Sequence, residues 1–172
     1  LRAEMARPDV DVDALLVPTD DPHLSEVPPK HFARRAFLTD FTGTAGTAVV
    51  TKEQALLWTD GRYFLQAEQQ LGPEWTLMRQ DTAGTPSIQE FLTRRGEEDD
   101  SFDVISTVGL DPAVHSATFT SELREALQKN QKRLKELTAN PVDVVWESSG
   151  SRPPAPKATM RVQPVLYAGA TV

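Results

Sequence analysis

The chain has no cysteine. This excludes a disulfide framework, a thiol nucleophile and any zinc or iron–sulfur site built on thiolates. It also favours a reducing compartment, so a cytoplasmic location is expected. Long hydrophobic runs are missing too: none approaches the roughly 18 residues that a membrane-spanning helix needs. No secretory signal is visible, and because the chain starts at Leu1 inside a helical pattern, the natural amino terminus and any targeting signal are expected to lie ahead of it. Cations are in the minority, with 18 Lys and Arg against 25 Asp and Glu and a net charge of −7. Nucleic acid and anionic membranes are bound by clustered cations that displace counterions, so neither is expected as a partner. The basic cluster from Lys129 to Lys135 reads as the solvated end of a helix, where cations suit the negative end of the dipole. The acidic run Glu97-Glu98-Asp99-Asp100 lacks the alternating ligands of an EF-hand and reads as a solvated loop.

What is present fits one domain with a tail: 172 residues, 39% of them hydrophobic, can bury roughly two thirds of the surface of the unfolded chain. Leu1 to Arg7 reads as a helix end stopped near Pro8, and Ala14-Leu15-Leu16-Val17 as a short buried strand. Pro18 to Lys30 holds four prolines and many acids, so it is expected to be a loop. Thr44–Thr51 and Ala55–Thr59 form a hairpin across Lys52-Glu53-Gln54, and Asp60-Gly61 then turns the chain. A helix is expected from Arg62 to Leu71, where Phe64, Ala67 and Leu71 share a face, followed by a strand at Trp75–Arg79. A second helix begins at Thr85-Pro86, turns Ile88, Phe91 and Leu92 inward and ends at Arg94-Arg95-Gly96. Asp103–Val108 reads as a strand, Phe119, Leu123, Ala126 and Leu127 as one face of a helix, Leu134–Thr138 as a sixth strand and Val142–Trp146 as a short helix. Strands alternating with helices, plus one hairpin, predict an α/β fold with a mixed sheet of about six strands. The domain is expected to span 1–147. Residues 148–172, opening with Ser148-Ser149-Gly150-Ser151-Arg152-Pro153-Pro154-Ala155-Pro156, read as a linker and the start of a following domain.

Catalytic motifs are scarce. Gly43 and Gly46 precede a strand rather than open a helix, which disfavours a phosphate loop and favours close backbone packing or a tight bend. There is no Gly-x-Ser-x-Gly elbow and no His-Glu-x-x-His helix. His23 with Asp20, Asp21 and Glu26 is the one cluster with metal-ligating side chains, but a proline-bounded acidic loop more often forms a hydrogen-bonded turn, and no metal site is assigned. His31 and His115 read as surface or capping histidines. Asp60-Gly61-Arg62-Tyr63 is different: it sets a guanidinium at a helix start, where the dipole repels it. Either a carboxylate such as Asp60 offsets the charge internally, or Arg62 projects to receive a carboxylate or carbonyl of a ligand.

Four stretches occur in the order and spacing of a known family. They are Ala14 to Glu26, the block from Arg34 to Ala48 with Arg34-Arg35-Ala36-Phe37-Leu38 and Phe41-Thr42-Gly43-Thr44-Ala45-Gly46-Thr47-Ala48, Trp58 to Gln66 opening with Trp58-Thr59-Asp60-Gly61-Arg62-Tyr63-Phe64, and Trp75 to Met78. Together they resemble the amino-terminal domain of three-domain Xaa-Pro aminopeptidases (aminopeptidase P), relatives of prolidase and creatinase. The resemblance implies a six-stranded creatinase-type domain within an enzyme that removes the residue preceding proline. It also implies two divalent ions, manganese or similar, held by two aspartates, a histidine and two glutamates of a separate catalytic domain, so the chain alone is expected to be inactive. Partners implied are that catalytic domain, peptides with proline in second position and a second copy in a homodimer. Carried onto this sequence, Arg62, Tyr63 and His23 become candidates for lining the substrate cleft. Where family members usually carry Ser-Glu-Tyr, this chain has Ser25-Glu26-Val27. The alternatives are a prolidase or creatinase relative, or a non-enzymatic binding module of the histone-chaperone type.

Overall fold

A computed structural model describes residues 1–94, 104–159 and 161–169. Its elements run α1 (Arg2–Met5), β1 (Ala14–Pro18), α2 (Arg34–Thr39), β2 (Thr47–Thr51), β3 (Ala55–Thr59), α3 (Phe64–Gln70), β4 (Thr76–Arg79), α4 (Ile88–Thr93), β5 (Thr107–Leu110), α5 (Ala117–Lys129), β6 (Arg133–Glu136), α6 (Pro141–Ser148) and α7 (Val165–Ala168). The strands form one six-stranded sheet in the order β4-β3-β2-β1-β5-β6. β2 is antiparallel to both β1 and β3, and the other adjacent pairs are parallel. The expected mixed α/β sheet is therefore what the chain forms.

Side-chain alternation divides the core into two layers. Leu15 and Val17 of β1 face one layer with Val50, Leu57, Ala67 and Val142. Ala14 and Leu16 face the other, with Val49, Leu56, Phe91, Leu123 and Leu127. β1 is buried along its whole length, which is why its sequence is an unbroken apolar run rather than an alternating one.

Several boundaries differ from the sequence expectation. Helix α2 was not anticipated, since its N-cap is Ala33, with no capping side chain. Helix α3 begins at Phe64 rather than Arg62, and β2 at Thr47 rather than Thr44. Helix α4 is capped by Ser87 in a reciprocal capping box with Glu90 rather than by Thr85. Strand β5 starts at Thr107 because the Asp13 carboxylate takes the N–H groups of Ser106 and Thr107, both at 2.9 Å. Arg95, Gly96, Asp103 and the acidic run 97–100 lie outside the described residues. No helix among the described residues is long and apolar enough to cross a membrane.

The segment after α6 is tied to the domain at its start. Arg152 pairs with Asp143 at 3.0 Å and Glu147 at 2.7 Å, and the Pro153 carbonyl lies 2.8 Å from His31 Nδ1. Further on, Val162, Leu166 and Tyr167 are exposed.

Candidate functional site

Because β2 alone runs against the other strands, five strand ends and the start of β2 lie along one edge of the sheet. In open α/β sheets that edge is where loops collect around ligands. Here it gathers the loop after β1, the glycine loop before β2, the Asp60–Tyr63 turn after β3 and the turn from Asp111 to His115 after β5.

The glycine loop is stitched down from several sides. Thr19 Oγ1 donates to the Gly46 carbonyl at 2.9 Å, Thr59 Oγ1 to the Ala45 carbonyl at 2.6 Å, and Arg35 Nη2 to the Gly43 carbonyl. A Cβ on Gly43 would strike the Phe41 ring and stand 2.8 Å from Tyr63 Cδ1. Close packing therefore accounts for Gly43. Tyr63 closes the arrangement: its hydroxyl lies 2.6 Å from Thr44 Oγ1 and its ring meets Phe41 edge to face.

Arg62 stands one residue ahead of the N-cap of α3, Tyr63. Its Nε and Nη2 donate to the two Asp60 oxygens at 2.9 and 2.8 Å, so a carboxylate does offset the guanidinium. The fork remains at the surface, with Arg62 67% exposed. The Arg62 hydrogen bond holds the Asp60 carboxyl below its ordinary range, and Glu26 of the neighbouring loop adds to the negative field on Arg62.

The Asp20–Glu26 loop forms a turn around a buried acid. Asp21 is 1% exposed, and its Oδ1 accepts the N–H groups of His23 at 2.9 Å and Ser25 at 3.0 Å. The His23 side chain is left exposed. No hydrogen bond, ion pair or ring contact joins His23 to Arg62 or Tyr63 among the described residues. Nor does any group of three or more His, Asp or Glu there have the geometry to hold a metal ion. The two ions implied by the family resemblance thus find no fitting donor set in these residues.

Sequence reasoning passed over two groups at this edge. Arg35 is 3% exposed, with Nε and Nη1 unpartnered among the described residues; burial pulls its pKa down to about 10. His115, read as a surface or capping residue, does cap the Pro112–Val114 turn, but it is half-buried rather than at the surface and stacks on Phe119 with ring centroids 5.5 Å apart. Its Nδ1 is 2.9 Å from the Asp111 carbonyl, which can only accept, so Nδ1 carries the proton and Nε2 keeps a lone pair without a donor among the described residues. Burial lowers its pKa. The available signal for Arg35 was the Arg34-Arg35 pair itself, two cations beside apolar residues with no acid near in sequence.

A six-stranded mixed sheet between helical layers, with its loops gathered at one edge, defines a mixed α/β domain. The family model of the creatinase/prolidase N-terminal domain matches residues 1–143, and the chain belongs to that family. It is 42% identical to aminopeptidase P2 of Arabidopsis thaliana over 100% of its own length and 23% of that protein. With a probable Xaa-Pro aminopeptidase P of Talaromyces marneffei it shares 41% identity, over 98% of the chain and 24% of the relative. The chain thus spans about a quarter of the length of the curated relatives it matches. Among solved structures it superposes on the X-prolyl aminopeptidase of Caenorhabditis elegans, a cytosolic enzyme with a di-nuclear active site. That match has a TM-score of 0.83 and 31% identity, over 97% of this chain and 26% of that one. The N-terminal domain of a cytoplasmic peptidase of Mycobacterium tuberculosis shares the fold, with a TM-score of 0.58 and 23% identity, over 84% of this chain and 93% of that one.

Proposed function

We propose that this chain is the non-catalytic amino-terminal domain of a metal-dependent Xaa-Pro aminopeptidase, acting in the cytoplasm. One observation carries the reading: along nearly its whole length the chain is similar to Xaa-Pro aminopeptidases of which it spans about a quarter, and among the described residues no cluster of three or more His, Asp or Glu could hold a metal ion. Residues 1–147 form the domain, and 148–172 lead toward a catalytic domain that holds two divalent ions, manganese or similar. The Asp60–Tyr63 turn and the His23 loop face that domain's cleft and restrict which peptides with proline in second position reach it. Assembly as a homodimer belongs to the same reading.

The test is to express the natural full-length protein with divalent metal and assay release of the first residue from Xaa-Pro peptides. Hydrolysis that a chelator abolishes, with none from the 172-residue chain, supports the proposal. A metal-loaded full-length protein that cleaves no Xaa-Pro peptide overturns it and favours a peptidase-like binding module.

A further inference from the structure

Arg35 is buried, yet no carboxylate pairs with it among the described residues. Nη2 donates to the Gly43 carbonyl, and the guanidinium lies over the Phe41 ring, 4.6 Å from its centroid. Asp20 acts on it only at a distance, and Nε and Nη1 have no acceptor among the described residues. A buried cation in this state retains unmet demand for an anion, because it has lost water without gaining a counter-charge.

Arg35 borders a cavity of about 240 Å³ between the loop after β1, helix α2 and the Thr42–Thr44 segment. Val27, Pro28, Ala33 and Ala36 supply its apolar wall, and Lys30 brings a second cation. Lys30 is exposed and makes no ion pair among the described residues. No acidic side chain lines the space. Two cations, an apolar wall and no acid together select an anion with a short hydrocarbon part.

We propose that this cavity is a binding site for a small aliphatic monocarboxylate, whose carboxylate meets Arg35 and Lys30 and whose alkyl group lies against Val27, Pro28, Ala33 and Ala36. The planar guanidinium fork matches a carboxylate. The volume is below that of ordinary drug-sized sites, which restricts the ligand to a few heavy atoms. Phosphate and sulfate are disfavoured because a strongly hydrated polyanion gains nothing from the apolar wall. The lowered Arg35 pKa, about 10, still leaves the guanidinium charged at neutral pH. The site is separate from the Arg62 fork and does not rest on the proposed peptidase role.

Isobutyrate is the probe, and its uncharged isostere isobutyramide is the control. Crystals of the full-length protein are soaked with each, and affinities are measured by calorimetry for the wild type, Ala36→Leu and Lys30→Ala. Ala36→Leu fills the cavity without altering charge, and Lys30→Ala changes an exposed side chain that the fold does not need. The expected result is a carboxylate within hydrogen-bond distance of Arg35, with affinity about tenfold weaker for the amide and for Ala36→Leu, and reduced in Lys30→Ala. Equal binding of isobutyramide, unchanged affinity in Ala36→Leu, or only water beside Arg35 would each overturn the assignment.

Discussion

Arg34 and Asp143, 109 residues apart in sequence, form a forked ion pair, with Nε to Oδ1 at 2.7 Å and Nη2 to Oδ2 at 2.8 Å. Arg34 is 8% exposed and Asp143 23%. The pair locks α2 to α6. Because Arg152 reaches the same carboxylate, Asp143 compensates two guanidinium groups.

Removing that carboxylate leaves a buried charge without a partner, which is far costlier than losing a surface pair. Asp143→Ala should destabilise the domain by about 3 kcal/mol in urea unfolding. Arg152→Ala should cost about 1 kcal/mol, since it leaves the Arg34 pair intact. Equal losses in the two variants would place the anchoring on Arg152 instead.

Gly46→Ala brings a methyl group to 2.9 Å from the Trp58 carbonyl oxygen and 2.7 Å from Arg35 Nη1. Backbone cannot yield as a flexible side chain can, so a loss of about 1–3 kcal/mol is expected. At Gly61 the nearest atom to an added Cβ is 3.8 Å away. Gly61→Ala should therefore change stability by less than about 0.5 kcal/mol. Thermal unfolding of both variants checks the contrast, and a Gly46→Ala protein as stable as the wild type refutes the close-packing account.

The β2–β3 hairpin could be read because Val49, Val50, Leu56 and Leu57 are all buried and a polar tripeptide separates the strands. Strand β1 could be read because both its faces are covered. Helix α2 was hidden: it spans six residues, lacks a capping side chain and buries two arginines, so neither periodicity nor capping announced it. The partner that makes Arg34 tolerable lies on α6, and no local pattern reveals a pairing across that separation. At the candidate site, the Asp60–Arg62 pair was legible from the repulsion between arginine and helix dipole. The unpaired Arg35 was not, because burial of a charge depends on tertiary packing.

Stability should depend on pH through Asp13 and Asp21, both titrating below the ordinary value of 3.8. For Asp13, burial pushes the carboxyl up but is outweighed by hydrogen bonds from Lys52, Thr107 and Ser106. For Asp21, burial is outweighed by donors from Ser25 and His23. With folded values below unfolded ones, the unfolded chain takes up protons first, so their stabilisation is complete above 3.8 and lost as pH falls through the folded values. The urea midpoint should drop as the pH is taken below about 3.8, and less steeply in Asp13→Asn. An unchanged slope in that variant would remove Asp13 from the account.

The Arg62 fork allows stability and function to be separated. An exposed ion pair contributes little to folding because water screens it and long side chains lose freedom in making it. Arg62→Ala should therefore leave the unfolding transition of the domain where it is. If the fork faces the substrate cleft of a full-length aminopeptidase, the same variant removes a charge-assisted hydrogen bond and lowers kcat/KM for Xaa-Pro peptides by about tenfold. Asp60→Asn is the informative companion, since it frees Arg62 from its carboxylate while keeping the guanidinium. Kinetics that fall in Arg62→Ala and survive in Asp60→Asn assign the contact to the arginine itself. Unchanged kinetics in Arg62→Ala across several substrates remove the cleft role, and a destabilised domain instead assigns Arg62 to its pairing with Asp60.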